Sequence, residues 1–174
     1  MTRSFPCRLA ALAVAASLTA CTGGAGEAGP APVAPPPILA PADPAPLPVA
    51  PTRVLSQADA ARLLGNKGVT LQWIDWNTRG SASVTQQAGV WHLRAAQAQA
   101  GGPGRLFMDG VVSEIGAGYF TFEGTIRIVD TPDAGRRCEA RKSWHFAVTQ
   151  NRPYYRLREF EWCDGLTDYV DIHF

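Results

Sequence analysis

From residue 119 to 129 apolar and polar positions alternate without a break. Phe120, Phe122, Gly124, Ile126 and Ile128 fall on one parity, and Thr121, Glu123, Thr125 and Arg127 on the other. Alternation at period two marks a strand with one face on a core and one in water. β-branched and aromatic runs of this kind fill the chain after Gly68. They predict strands over Val69 to Trp76, Ser81 to Gln87, Val90 to Gln97, Arg105 to Ile115, Tyr119 to Val129, Cys138 to Thr149, Tyr154 to Trp162 and Thr167 to Phe174. The links between them are short and rich in Gly, Pro, Asn and Asp, so neighbouring strands are expected to pair as antiparallel hairpins. In the run from Cys138, Ala140, Trp144 and Phe146 point inward while Arg141, Ser143, His145 and Thr149 point away. In the run from Tyr154 the parity slips, because Tyr155 and Leu157 oppose Phe160 and Trp162, and this predicts a bulge near Arg158 and Glu159.

Ahead of the strands the period is helical. Ser56 and Asp59 form the start of a capped helix, Ala58, Ala61, Leu63 and Leu64 continue it, and Gly65 offers a left-handed stop. The expected fold class is all-β: about eight antiparallel strands in a small barrel-like meander with one short N-terminal helix. Closing the sheet removes exposed edges, which favours a barrel over the alternative, a two-sheet β-sandwich.

The N-terminal third follows neither period. Arg3 and Arg8 precede an apolar run over 9–19, shorter than the roughly 20 residues of a membrane-spanning helix, and residues 1–20 read as a signal peptide. Its end, Leu18-Thr19-Ala20-Cys21, resembles the lipobox of bacterial lipoproteins. The resemblance implies cleavage before Cys21, acylation of that cysteine, and a membrane partner reached through the lipid anchor. Thr22 stands where an aspartate favours inner-membrane retention in enterobacterial lipoproteins, so the resemblance points to the outer membrane, facing the periplasm. Residues 21–52 then form a lipidated N-terminus and a tether that holds most of the chain's 14 prolines. At about 3.1 Å per residue of polyproline II, such a spacer reaches up to roughly 90 Å. Residues 53–174 remain as a single all-β domain.

With 16 Lys+Arg against 15 Asp+Glu, the net charge of +1 gives no electrostatic reason to expect nucleic acid as a partner. Cys7 leaves with the signal and Cys21 takes lipid, so Cys138 and Cys163 remain as a pair in an oxidising compartment. A turn at Asn151 and Arg152 brings residues 138 and 163 near one another across a hairpin, and a disulfide is expected there.

Chemistry-bearing residues are scattered. His92, His145 and His173 stand on different predicted strands, and Asp171 and His173 share a face near the C-terminus as a surface pair. The loop Asp164-Gly165-Leu166-Thr167-Asp168 lacks calcium-ligand spacing and reads as a turn with Asp caps. No G-x-S-x-G elbow or phosphate-cradling loop occurs, so no catalytic residue, metal ligand or cofactor is assigned and the chain is not expected to be an enzyme. Arg136, Arg137, Arg141, Lys142, Arg152, Arg156 and Arg158 form a local cationic bias. Interleaved Glu139, Glu159 and Glu161 are expected to tie them into a cross-strand salt-bridge lattice, while free members could meet lipid phosphates or acidic glycans. Trp73, Trp76, Trp91, Tyr154 and Tyr155 are packing residues or the lining of a sugar- or lipid-binding mouth. The function expected from these features is that of a lipid-anchored cell-envelope lipoprotein whose barrel-like domain binds a small apolar ligand or an envelope component. The alternative is a protein-contact module, an inhibitor or envelope-assembly accessory.

Overall fold

The period-two runs become strands in the computed structural model, which describes residues 50–174; Cys21, the signal segment and nearly all of the tether lie outside the described residues. The elements are β1 (Arg53–Val54), α1 (Gln57–Leu64), β2 (Val69–Leu71), β3 (Ser81–Gln87), β4 (Val90–Ala98), β5 (Arg105–Gly116), β6 (Tyr119–Val129), β7 (Arg137–Ala147), β8 (Tyr154–Leu157) and β9 (Val170–His173). They form one sheet in the order β2-β9-β8-β7-β6-β5-β4-β3, antiparallel along that path, with β1 added in parallel to β5. The two ends of this path meet at Val69 and Gly80, which exchange both backbone hydrogen bonds, so the sheet is nearly closed as a barrel. A Cβ at Gly80 would lie 2.1 Å from the Ala96 carbonyl oxygen, so glycine is what lets the chains approach here. Where the ladder gives out, the Gln97 amide replaces it. Its Oε1 accepts from the Leu71 amide at 2.6 Å, and its Nε2 donates to the carbonyls of Asp75 and Thr78.

Inside lie Leu93, Met108, Phe120, Phe122, Ile126, Trp144, Phe146 and Ile172, all with no exposed area, joined by Tyr155. Each such burial contributes about 1.5–3 kcal/mol. Phe120 stacks on Phe146 at 4.8 Å and meets the edge of Tyr155 at 5.3 Å, geometries that suit the ring quadrupoles. Helix α1 buries Ala60 and Leu63 against this core. Ser56 caps it as expected, with its Oγ accepting from the Asp59 amide. Gly65 departs from expectation, ending the helix at φ −87° rather than in the left-handed region.

Two strand expectations are corrected. The second strand stops at Leu71, short of the expected Trp76, because the amides of Ile74 and Asp75 fold back onto the Leu71 carbonyl. The strand from Tyr154 ends at Leu157, and the parity slip beyond it marks departure from the sheet, not a bulge; Phe160 packs on Tyr169 and Trp162 on Trp144. A register shift does occur, in β5 between Val112 and Glu114.

Residues 158–169 thus form a strap between β8 and β9, held by three devices. Cys163 is bonded to Cys138 of β7, with Cα atoms 5.8 Å apart. Trp162 meets the Trp144 ring edge-on at 5.2 Å. Arg136, its side chain 4% exposed, grips Asp164 through Nε and Nη2 at 2.7 Å each and Asp168 through Nη1 and Nη2 at 2.9 Å each. The Asp164–Asp168 segment is therefore more than a turn with Asp caps: its carboxylates neutralise a buried cation. Arg136 pulls the Asp164 carboxyl down to about 2.

The disulfide closes a loop with a sequence separation of 25. In the chain-entropy view, reduction, or Cys138→Ser with Cys163→Ser, lowers stability by about 3 kcal/mol. Paired thermal melts with and without reductant, followed by alkylation to count free thiols, check this.

Candidate functional site

The hairpin that joins β7 to β8 turns on Gln150 and Asn151, both at φ 55°, closed by the Arg152 amide on the Thr149 carbonyl at 3.1 Å. Beyond it the strand alternates again. Tyr155 and Leu157 go into the core, so Arg152, Tyr154, Arg156 and Arg158 fall on the outward parity. On neighbouring β9, Val170 and Ile172 go inward, leaving Asp171 and His173 on the same outer face as the arginines.

Arg156 faces Asp171 as a bidentate fork, with Nε donating to Oδ1 at 2.8 Å and Nη2 to Oδ2 at 2.6 Å. Its guanidinium lies 4.2 Å from the Tyr169 ring centroid, 5.0 Å from that of Tyr154 and 5.6 Å from that of Trp76. Three rings and a carboxylate therefore hold one cation, which is itself buried. Around this floor opens a groove of about 640 Å³, walled by Trp76, Phe160 and Tyr169 and edged by Thr149, Gln150, Arg152 and Arg158. Arg158 lies over Phe160 at 4.9 Å, and Arg152 donates to the Tyr154 hydroxyl at 2.9 Å. Among the described residues, neither Arg152 nor Arg158 has a carboxylate within salt-bridge distance. With Arg156 and Asp171 cancelling, the groove keeps the formal charge of two guanidiniums.

The scattered candidates are thus partly brought together. Trp76, Tyr154, Arg152, Arg156 and Arg158 converge, whereas Trp91 and Tyr155 are core and Trp73 is half-buried, its Nε1 donating to Asp168 at 3.0 Å. The expected Arg/Glu lattice is corrected. Within it only Lys142 and Glu159 pair, while Arg136 and Arg156 turn to aspartates on the strap and on β9 because those carboxylates are buried beside them. Asp171 and His173 do share a face, but they are buried rather than a surface pair, and each has its own partner. His173 Nε2 sits 2.8 Å from the Thr70 hydroxyl, and its ring lies against Tyr154 at 5.3 Å. Phe160, Tyr169, Thr149 and Gln150 carried no signal in the chain, since they come from the strap and a turn. The spacing Arg152-x-Tyr154-x-Arg156-x-Arg158 did carry one, because period two puts all four on one face.

The family model of the PM1083 family matches residues 51–174, the span over which the barrel is described. A protein of Pasteurella multocida (strain Pm70), named "Uncharacterized protein PM1083", is 32% identical over 115 residues, which is 65% of this chain and 74% of that relative. No solved structure matches.

Burial pushes the His173 imidazole below its ordinary value; Arg79 adds to this, Asp171 opposes it, and Arg156 lowers it further. The unfolded chain binds this proton below about pH 6.5 while the folded chain resists it, so its stability contribution is full above that pH and is lost as the pH falls. Thermal melts between pH 7 and pH 5 are expected to show a falling Tm that His173→Gln flattens.

Proposed function

We propose that this chain, which belongs to the PM1083 family, is a lipid-anchored protein of the bacterial envelope that works by binding an envelope component, not by catalysis. The groove outside β8 and β9 is its binding surface. The observation that carries this reading is the convergence of Arg152, Arg158 and the exposed Trp76 on one hollow of about 640 Å³, a size usual for ligand sites. An apolar ligand inside the barrel is disfavoured by the packing there, where the large rings of Phe120, Phe122, Trp144 and Phe146 occupy the interior. Anchoring is supported by Leu18-Thr19-Ala20-Cys21 at the end of the apolar run, and the Pro-rich tether up to residue 52 suits a domain held off a membrane surface. The outer membrane, facing the periplasm, is the placement that Thr22 favours.

A protein-contact role is the second reading. It is favoured by Trp76, 49% exposed, beside Phe160 and Tyr169 at the groove wall.

Two outcomes are expected. Cys21→Ser releases the protein from the membrane fraction and abolishes labelling by a fatty-acid probe; unchanged fractionation overturns the anchor. In co-sedimentation with isolated envelope fractions, Arg152→Ala with Arg158→Ala weakens binding by about tenfold or more, since each charge-assisted contact contributes about 1.5–3 kcal/mol. Unaltered sedimentation overturns the groove as the binding surface.

A further inference from the structure

The cage around Arg156 already holds its cation. Tyr169, Tyr154 and Trp76 all lie within 5.6 Å of the chain's own guanidinium, so a quaternary ammonium or other cationic ligand finds the cage occupied and the rim repulsive. What the groove offers outward is two guanidiniums, the half-exposed indole of Trp76, a hydroxyl at Thr149 and an amide at Gln150. Among the described residues no Val, Leu, Ile or Met lines it, so an acyl chain would find no aliphatic wall. Gln150 stands in the turn at the groove's edge. It holds the left-handed conformation at φ 55° in a two-residue turn whose preferred residues are Asn and Gly. A non-glycine residue there costs on the order of 1 kcal/mol, as at Ala88 in the β3–β4 turn with φ 50°, so the strain belongs to the turn.

We propose that the groove is a site for an anionic saccharide: a sugar ring bearing a carboxylate or a phosphate, its apolar face on Trp76, its charge taken by Arg152 and Arg158, and its hydroxyls met by Thr149 and Gln150. This rests on the groove being the binding surface and adds the class of ligand. The planar guanidinium fork suits carboxylate and phosphate alike, so both sources of the charge belong to one chemistry. The indole supplies what charge alone does not, a flat apolar surface for a ring.

A second cationic hollow provides an internal control. On the outer face of β5 to β7, Arg105, Arg127 and Arg137 line a cavity of about 310 Å³ with Phe107 and Glu139, without an exposed indole. Removing Arg127 therefore changes net charge without touching the groove.

The test uses the mature protein labelled with 5-fluorotryptophan, the Trp76 resonance being assigned by Trp76→Phe. Probes are trigalacturonate, phosphorylated maltotriose, neutral maltotriose, hexaglutamate and phosphatidylglycerol vesicles. Trigalacturonate or phosphorylated maltotriose is expected to shift the Trp76 resonance, with neutral maltotriose about tenfold weaker or more. Arg152→Ala with Arg158→Ala weakens the charged saccharide about tenfold or more, whereas Arg127→Ala changes it by less than about twofold, as screening at physiological salt requires. Gln150→Gly weakens binding while Tm holds or rises, an outcome that a merely structural role for Gln150 does not give. If neither charged saccharide moves Trp76, or if hexaglutamate or the vesicles move it as strongly, the saccharide assignment is overturned. Envelope co-sedimentation of the same arginine variants then decides separately whether the groove binds at all.

Discussion

A guanidinium taken out of water has to be met on every donor, and Arg136 is met by Asp164, by Asp168 and by the Thr131 carbonyl. That requirement organises the groove. Asp168, fully buried, also accepts from Trp73 Nε1, and the Trp73 carbonyl accepts from the Thr131 hydroxyl. The strap over 158–169 and the turn after β2 are therefore tied to the same carboxylate. One carries Arg158, Phe160 and Tyr169, the other Trp76, so both walls of the groove depend on the one ion pair. Apolar residues of equal volume would stabilise as much or more, since desolvation offsets most of a buried pair's attraction. What the pair adds is a fixed direction, because a fork with two aspartates accepts one placement of the strap.

Regular strands were legible where alternation was unbroken. Phe120, Phe122, Ile126, Ile128, Trp144 and Phe146 lie on the core face as their parity requires. The Cys138–Cys163 bond is present as expected but not through the hairpin ladder, which pairs Phe146 with Leu157 and Ala147 with Arg156 and then ends; Cys163 reaches Cys138 from the strap. The ends of β2 and β8 were not legible. Trp73, Ile74, Phe160 and Trp162 are apolar enough to extend a strand, yet each is used in a turn or strap whose course is set by contacts distant in sequence. Buried charge was hidden for a related reason. A lone Asp or Arg is ordinarily at the surface, and nothing local distinguishes Asp168 and Asp171 from exposed aspartates. Their partners are Arg136 and Arg156, which local pattern would pair instead with the glutamates across the strand.

The barrel's interior and exterior are coupled by a simple count of faces. A nearly closed sheet of short strands must fill its inside with side chains, and here aromatic rings do so. Each inward aromatic fixes its strand's register, so the outward residues one position away are fixed too. Tyr155, packed between Phe120 and Phe174 and donating to Asp59, places Tyr154 and Arg156 on the outside. Core packing is in this sense what positions the groove's floor.

That floor is held in place by the protein's own contacts. Arg156 is held by the two hydrogen bonds it donates to Asp171 and by three rings, so its charge is spent inside the protein and its plane serves as a base for Tyr169 and Trp76. Arg152, four residues before Arg156, and Arg158, two residues after it, share its parity and are left to act outward. A cationic site made of free side chains loses rotamer entropy on every contact, about 0.5–1.5 kcal/mol for each long side chain that becomes ordered. Stacking reduces that loss in advance. Arg158 lies over Phe160, and Arg152 leans on the Tyr154 hydroxyl, so both guanidiniums are already restricted on the face where binding would order them. The aromatic residues of the groove thus do two kinds of work: they cover apolar surface, and they hold cations in a direction that water alone would not select.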